Sequence, residues 1–288
     1  MDVCDGLEVY VLADDYAGYS SPFIAQHGLS LLLKIEYNNE VKYILFDTGT
    51  YAKPILFNMK LLQINPSVID VIVLSHCHYD HTGGLTGILK KIRKEEVPII
   101  TYPDIFRPHL VLKPHVMHVG IPRKCSKEHI EKLGGKWIFV KESFNIIPCV
   151  IYSGEIREIE EFEKSDIELY TVKNGELVKD PVRDEVAIAV NTKKGLVIIV
   201  GCSHPGIISI TKYFKKITGT ERIEAIIGGL HLVNANEDRI KKTIEELNNM
   251  NVRNLYIGHC TGLRAEAEVL RSFKGNFKKL YSGMKIIL

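Results

Sequence analysis

Apolar and polar positions along the chain fall into short blocks, and the period of each block predicts an element. Residues 7–12 read as a first strand, followed by a polar loop through Asp14, Asp15, Tyr16 and Ser20. Residues 29–37 and 41–46 alternate as two strands joined by a hairpin turn at Asn38 and Asn39. A helix is expected over 51–59, an approach over 66–70 to a buried strand over 71–74, and a strand over 97–102. Between the last two, Leu85, Ile88, Leu89 and Ile92 recur at helical spacing with lysines opposite, so 85–94 is an amphipathic helix. Residues 103–125 carry four prolines and no clear period, which predicts a long loop. A short helix over 128–133 ends at Gly134 and Gly135, and strands follow over 137–140 and 147–152. The charge-rich stretch 155–166 reads as a solvated connection.

The second half repeats the order of elements without repeating the sequence. Strands are expected over 169–172, 186–190, 196–200 and 224–227, with a hairpin at Asn174-Gly175 and a turn over 193–195. Helices are expected over 207–217 and 238–250, and 254–257 reads as the last core strand. Strands alternating with helices place the chain in the α/β class.

Candidate chemistry sits where strands end. The run 71–84, VIVLSHCHYDHTGG, leaves an apolar strand and presents His76, His78, Asp80 and His81 within six residues. Clustered imidazoles and a carboxylate at a strand end are the donor set of a metal site, and this spacing can serve two adjacent cations. Three later strands also end in glycine followed by histidine, at Gly201 to His204, Gly229 to His231 and Gly258-His259. Glycine lets the backbone turn sharply there. His27, beside Gly28, opens a loop that belongs either to the same rim or to plain surface.

The His76, His78, Asp80 and His81 pattern, preceded by FDTG at 46–49, resembles the metallo-β-lactamase superfamily. That resemblance covers nearly the whole chain. It implies one four-layer αββα sandwich over 1–288, with an active-site cover inserted at about 103–125, and one or two divalent ions, zinc, iron or manganese, at the edge between two sheets. Asp47 would then support the metal loop and orient a ligand histidine, and His259 would match the family's final ligand. The sequence departs from the family in the middle pair. Cys202 stands where the family has an aspartate, His204 lies two residues beyond it, and Asp184 and Glu185 are further candidates for the missing ligand. His231 has no counterpart among the usual ligands and, with His27, reads as a substrate or proton-transfer residue. Asp80 would both ligate and orient the attacking group.

Within the superfamily, AQHGLS, SHCHYDHTGG, GCSHPG, GGLHL and GHCTG together resemble a branch acting in tetrahydromethanopterin biosynthesis. This implies a transferase that joins a dihydropterin methyl diphosphate to the amine of a ribofuranosyl-aminobenzene phosphate and releases diphosphate. A metal-dependent phosphoesterase or lactonase is the alternative. Arg107, Lys113 and Arg123, in the 103–125 loop with His109, His115 and His118, are expected either to grip a substrate phosphate or to form a solvated basic loop.

Composition narrows the setting. A net charge of +2 over 288 residues leaves no nucleic-acid footprint, and no run is long and apolar enough to span a bilayer. The expectation is a cytoplasmic protein, as a monomer or homo-oligomer. Its six cysteines show no paired spacing, so they read as reduced thiols. A surface rich in lysine and glutamate, with glutamine only at Gln26 and Gln63, leans towards a thermophile.

Overall fold

Strands with apolar residues at consecutive positions have two faces to bury, and that requirement sets the architecture. In Ser30–Tyr37, Leu31 and Leu33 enter one hydrophobic cluster while Leu32 enters another. In Gly195–Ile199, Val197 and Ile199 join the first cluster, and Leu196 and Ile198 join a third. The shared cluster is the space between two sheets. Helices Ala52–Leu61 and Leu85–Ile92 cover one outer face, and Ile207–Thr218, Glu237–Asn249 and Leu263–Ser272 cover the other. The result is the expected four-layer αββα sandwich, seen in a computed structural model that describes residues 1–164 and 168–288.

Among the described residues, one seven-stranded sheet runs Lys285–Ile287, Gly6–Ala13, Ser30–Tyr37, Glu40–Phe46, Val71–Val73, Val97–Thr101 and Gly135–Phe139. Its last four strands are mutually parallel. The facing seven-stranded sheet runs Asn276–Lys279, Asn254–Gly258, Ile223–Gly229, Gly195–Ile199, Ile188–Thr192, Val150–Tyr152 and Phe144–Ile147, its first four strands parallel. Both predicted hairpin turns form, with Asn38, Asn39, Asn174 and Gly175 all at positive φ. No helix among the described residues is long and apolar enough to cross a membrane.

Four expectations need correction. Residues 103–125 are not structureless: Leu110–Val111 and Met117–His118 pair with each other, and Leu110–Val111 pairs with Leu169–Lys173, in a small third sheet completed by Glu176–Lys179. Two-residue strands carry no period, and their order comes from pairing across the chain. The predicted strand over 147–152 is a tight hairpin of Phe144–Ile147 and Val150–Tyr152. Asn254–Gly258 is not the last strand, because Asn276–Lys279 and Lys285–Ile287 extend the two sheets at their edges. The stretch 155–166 is not simply solvated. Glu163 is buried and its carboxylate accepts from the Ile208 and Ser209 N–H groups, capping helix Ile207–Thr218; residues 165 and 166 lie outside the described residues.

The carboxyl-terminal strand is tied in by Glu8, which bonds Tyr10 and meets Lys285 Nζ at 2.9 Å and Lys34 Nζ at 3.5 Å. Tyr10 and Lys285 hold the Glu8 carboxyl down at about 2, against 4.5 for the free group. The folded value lies below the unfolded one, so the stabilisation is complete above the unfolded value and fades as pH falls towards 2. Glu8→Gln is therefore expected to lower Tm by roughly 2–4 °C near pH 7. The gap between variant and wild-type melts should close progressively between about pH 5 and pH 2.5.

Candidate metal centre

The clustered histidines, Asp47, Asp80 and Cys202 all follow the carboxyl ends of parallel strands. Glu40–Phe46 delivers Asp47, and Val71–Val73 delivers the segment from Ser75 to His81. From the facing sheet, Gly195–Ile199 leads to Cys202 and His204, Ile223–Gly229 to His231, and Asn254–Gly258 to His259. Open α/β sheets place ligands outside these strand ends. Asp47, Ser203, His231 and His259 all adopt left-handed backbone, with φ of 60, 65, 48 and 49°. Each such turn costs on the order of 1–3 kcal/mol and persists where the surrounding structure needs the side chain aimed. The two sheets' loops touch because Gly201 has no side chain: a Cβ there would lie 2.3 Å from Ser75 Oγ.

The donors gather into two adjoining clusters, within each of which the ligand atoms lie within 4.8 Å of one another. The first is His76, His78 and His204; the second is Asp80, His81, Cys202 and His259. Cys202 Sγ lies 3.2 Å from His81 Nε2 and 3.4 Å from His259 Nε2, and it also groups with His204 and His231. The thiol thus occupies the corner between the clusters.

Behind the donors stands a ring of oriented acceptors. Asp47 Oδ2 takes His81 Nδ1 at 2.7 Å and the Ser75 hydroxyl at 2.7 Å, and Ser75 Oγ in turn meets His76 Nδ1 at 2.9 Å. Glu185 holds His204 Nδ1, and Asp15 Oδ1 holds His259 Nδ1 at 2.7 Å. These bonds engage Nδ1 and turn Nε2 of His76, His81, His204 and His259 inwards.

That arrangement fits cations. His81 Nε2 and His259 Nε2 face each other at 3.2 Å, with Asp80 Oδ2 at 3.4 and 3.3 Å, so three acceptors converge on one point. His204 Nε2 is buried with no hydrogen-bond partner. Burial opposes charge on His81, yet Asp80 and Asp47 outweigh it and push its pKa up to about 10. His259 is raised in the same way, burial opposing and the Cys260, Asp15 and Asp80 side chains prevailing. In the first cluster, burial and the neighbouring imidazoles hold His76 and His78 well below the usual range, so both rings are neutral. One cluster offers three imidazoles, of which the Glu185 carboxylate raises the pKa of His204 against burial, and the other carries a carboxylate of its own.

His27 sits at the mouth of the second cluster. Its Nδ1 meets Asp15 Oδ2 at 2.9 Å, and its Nε2 lies 3.5 Å from Asp80 Oδ2. The His231 ring lies 4.4 Å from that of His204. The structure does not bring Asp184 or Glu185 in as ligands. Asp184 accepts from the Cys77 N–H at 2.8 Å and pairs with Arg107, while Glu185 also accepts from the N–H groups of Cys202, Ser203 and His204. Arg107 does not offer its charge to a phosphate: Asp180 at 2.5 Å and Asp184 at 2.6 Å take the guanidinium. Lys113 pairs with Glu168 at 2.9 Å, and Arg123 is exposed.

Two participants take places that the sequence did not assign to them. Asp15 bridges His27 and His259, although its place in a polar loop after the first strand was a usable signal. His109 is buried against the site, its ring 4.7 Å from that of His78, its Nδ1 3.0 Å from Cys77 Sγ and 3.3 Å from Arg107 Nη2. Burial and the Arg107 charge hold it down at about 4, as a neutral imidazole.

Comparisons with known proteins agree with this geometry. A family model described as the metallo-beta-lactamase superfamily matches residues 28–181. The chain is 50% identical, over 98% of its length and 97% of the relative's, to the 7,8-dihydropterin-6-methyl-4-(beta-D-ribofuranosyl)-aminobenzene-5'-phosphate synthase of Methanocaldococcus jannaschii. A crystal structure of a metal-dependent hydrolase of the beta-lactamase superfamily superposes with a TM-score of 0.80 at 27% identity, covering 97% of this chain and 98% of that one. The metallo-beta-lactamase fold protein YhfI of Bacillus subtilis shares the fold, with a TM-score of 0.58 at 14% identity, over 98% of this chain and 100% of that one. Sequence, fold and the clustered donors at the strand ends agree: the chain belongs to the metallo-beta-lactamase superfamily.

Proposed function

We propose that the protein is a metal-dependent transferase of tetrahydromethanopterin biosynthesis. It joins the methylene carbon of a dihydropterin methyl diphosphate to the amine of 4-(β-D-ribofuranosyl)aminobenzene 5′-phosphate and releases diphosphate. The observation that carries this reading is the 50% identity, across 98% of the chain, to a synthase named for that product.

The chemistry asks for a C–N bond formed, a C–O bond broken, one proton taken from the amine and one given to the departing diphosphate. His76, His78 and His204 are assigned to hold one divalent cation, and Asp80, His81 and His259 the other, with Cys202 between them. Bound there, zinc, iron or manganese would neutralise the charge that builds on the leaving diphosphate. A thiol at the shared corner favours zinc or iron, whereas a purely nitrogen and oxygen set suits manganese as well.

His27 is assigned as proton donor to the diphosphate. Its hydrogen bond to Asp15 raises its pKa against burial, which favours the protonated ring, and Asp80 Oδ2 at 3.5 Å holds that ring at the rim. His231 is assigned as acceptor of the amine proton, because its Nδ1 is buried with no hydrogen-bond partner and its ring adjoins His204. Residues 103–125 are assigned as the cover that keeps water from the carbon electrophile. They lie against the metal loop through His109, and the Val119 carbonyl accepts the Tyr79 N–H at 3.0 Å.

A plain hydrolase is the second reading, favoured by the structural match to a metal-dependent hydrolase. Incubating metal-reconstituted protein with the pterin diphosphate, with and without the aminobenzene phosphate, separates the two. Diphosphate release that depends on the amine and tracks a coupled product is expected. Equal release without the amine would overturn the transferase.

A further inference from the structure

Asp184, Glu185 and Val186, consecutive in the chain, tie the two halves of the first donor cluster together. Asp184 Oδ2 accepts the Cys77 N–H at 2.8 Å, so it grips the backbone between His76 and His78. Glu185 accepts from the N–H groups of Cys202, Ser203 and His204 and holds the His204 ring. The Val186 N–H donates to the Ser75 carbonyl at 2.8 Å, one residue before His76. His76 and His78 come from one sheet and His204 from the other. Because Asp184 and Glu185 are adjacent, the separation of these two loops is set across a single peptide unit.

That stretch is itself held from the 103–125 segment. Arg107 Nη2 meets Asp184 Oδ1 at 2.6 Å, and Arg107 Nε meets Asp180 Oδ2 at 2.5 Å. The two carboxylates have 0 and 4% of their side chains exposed, so both need the countercharge that Arg107 brings. Between them Val182 has a φ of 55°, a conformation that a β-branched residue keeps only where its surroundings impose it. Asp180 Oδ1 accepts the Val182 N–H at 2.9 Å, so the carboxylate that takes the guanidinium also holds the strained residue. The second cluster is oriented by other carboxylates, His81 by Asp47 and His259 by Asp15, each at 2.7 Å.

Resting on the assignment of His76, His78 and His204 to one cation, we infer that Arg107 is a positioning residue for that cation. Through Asp180 and Asp184 it fixes the stretch that holds the His76 to His78 loop at its distance from the His204 turn. Without the guanidinium, two buried carboxylates lose their countercharge and repel each other. A shift of Asp184 releases the Cys77 N–H and passes through the next peptide to Glu185 and the His204 ring. The second cation keeps Asp80, His81 and His259. The arginine of the cover thereby acts on the protein's own donors rather than on a substrate phosphate.

The test reads metal binding rather than turnover. Metal-stripped full-length wild type, Arg107→Met, Arg107→Lys and His78→Ala are titrated with cobalt(II), followed by visible absorption and by competition with a chelator, and circular dichroism shows which variants are folded. The equivalent that His78→Ala loses identifies the first cation. Arg107→Met is expected to weaken that cation by about 10–100-fold and to leave the other unchanged. Arg107→Lys returns the charge without the rigid fork of the guanidinium, so it should recover part of the loss, and it carries the test if the methionine variant does not fold. Wild-type affinity for the first cation in either folded variant would overturn the inference. Equal weakening of both cations would overturn it too, because a general loosening of the fold does not single out one site. If His78→Ala loses no equivalent, the metal assignment itself fails, so the two failures are distinguishable.

Discussion

Replacing His78 by alanine is expected to reduce amine-dependent diphosphate release by about a thousandfold or more, while the far-ultraviolet circular dichroism stays that of the wild type. His78 belongs to a cluster of three imidazoles, so its removal would leave a cation bound there two nitrogen donors, and charge stabilisation worth several kcal/mol at the transition state would be lost with it. The fold should survive because His78 lies beyond the end of Val71–Val73, outside the three hydrophobic clusters. Metal analysis of the purified variant should show one equivalent fewer than wild type. Full activity at full metal content would mean that this cluster is not where the chemistry happens.

Glu185→Ala should damage stability and metal affinity together. The Glu185 carboxylate accepts from the N–H groups of Cys202, Ser203 and His204 and holds the His204 ring, all within a fully buried turn. Removing it strands three backbone donors, each costing on the order of 1–3 kcal/mol when buried and unpaired. It also frees the His204 ring to rotate, and loss of such an orienting carboxylate typically weakens metal binding by about 10–100-fold. The apo variant is therefore expected to melt well below the wild type by calorimetry and to regain part of the loss when metal is added, since a ligand that binds only the folded state stabilises it. Glu185→Gln keeps an acceptor for some of the N–H groups and should fall between the two. An unchanged melting temperature in the alanine variant would show that this turn is not held by Glu185.

The two variants mark the boundary between what was legible in the chain and what was not. His76, His78, Asp80 and His81 could be read directly, because four donor groups lie in one segment after an apolar strand. His204 and His259 could be read from glycine-histidine strand ends, although only the structure shows His204 joining the first cluster and His259 the second. Glu185 could be suspected but not placed: 19 residues separate it from His204, and nothing local says whether it ligates the metal or holds the ligand. Asp15 is further removed, 244 residues from the His259 ring that it orients. Arg107 was misread for the same reason, since the carboxylates that neutralise it lie 73 and 77 residues further along.

What the amino-acid sequence determined by itself was local. The period of apolar residues, the Asn38-Asn39 and Asn174-Gly175 turns and the donor side chains at strand ends follow from interactions within a few residues, so the α/β class and most of the candidate donors were accessible without coordinates, whereas the four-layer sandwich was implied by the resemblance to a known family. Only the tertiary structure decided how the donors divide between two clusters, which ring nitrogen faces inward, that Cys202 stands at their shared corner, and that Arg107 is held by Asp180 and Asp184. Each of these depends on distances of a few ångströms between groups remote in the chain. Hydrogen bonds and ion pairs act over such distances only after the two sheets have closed around their common core.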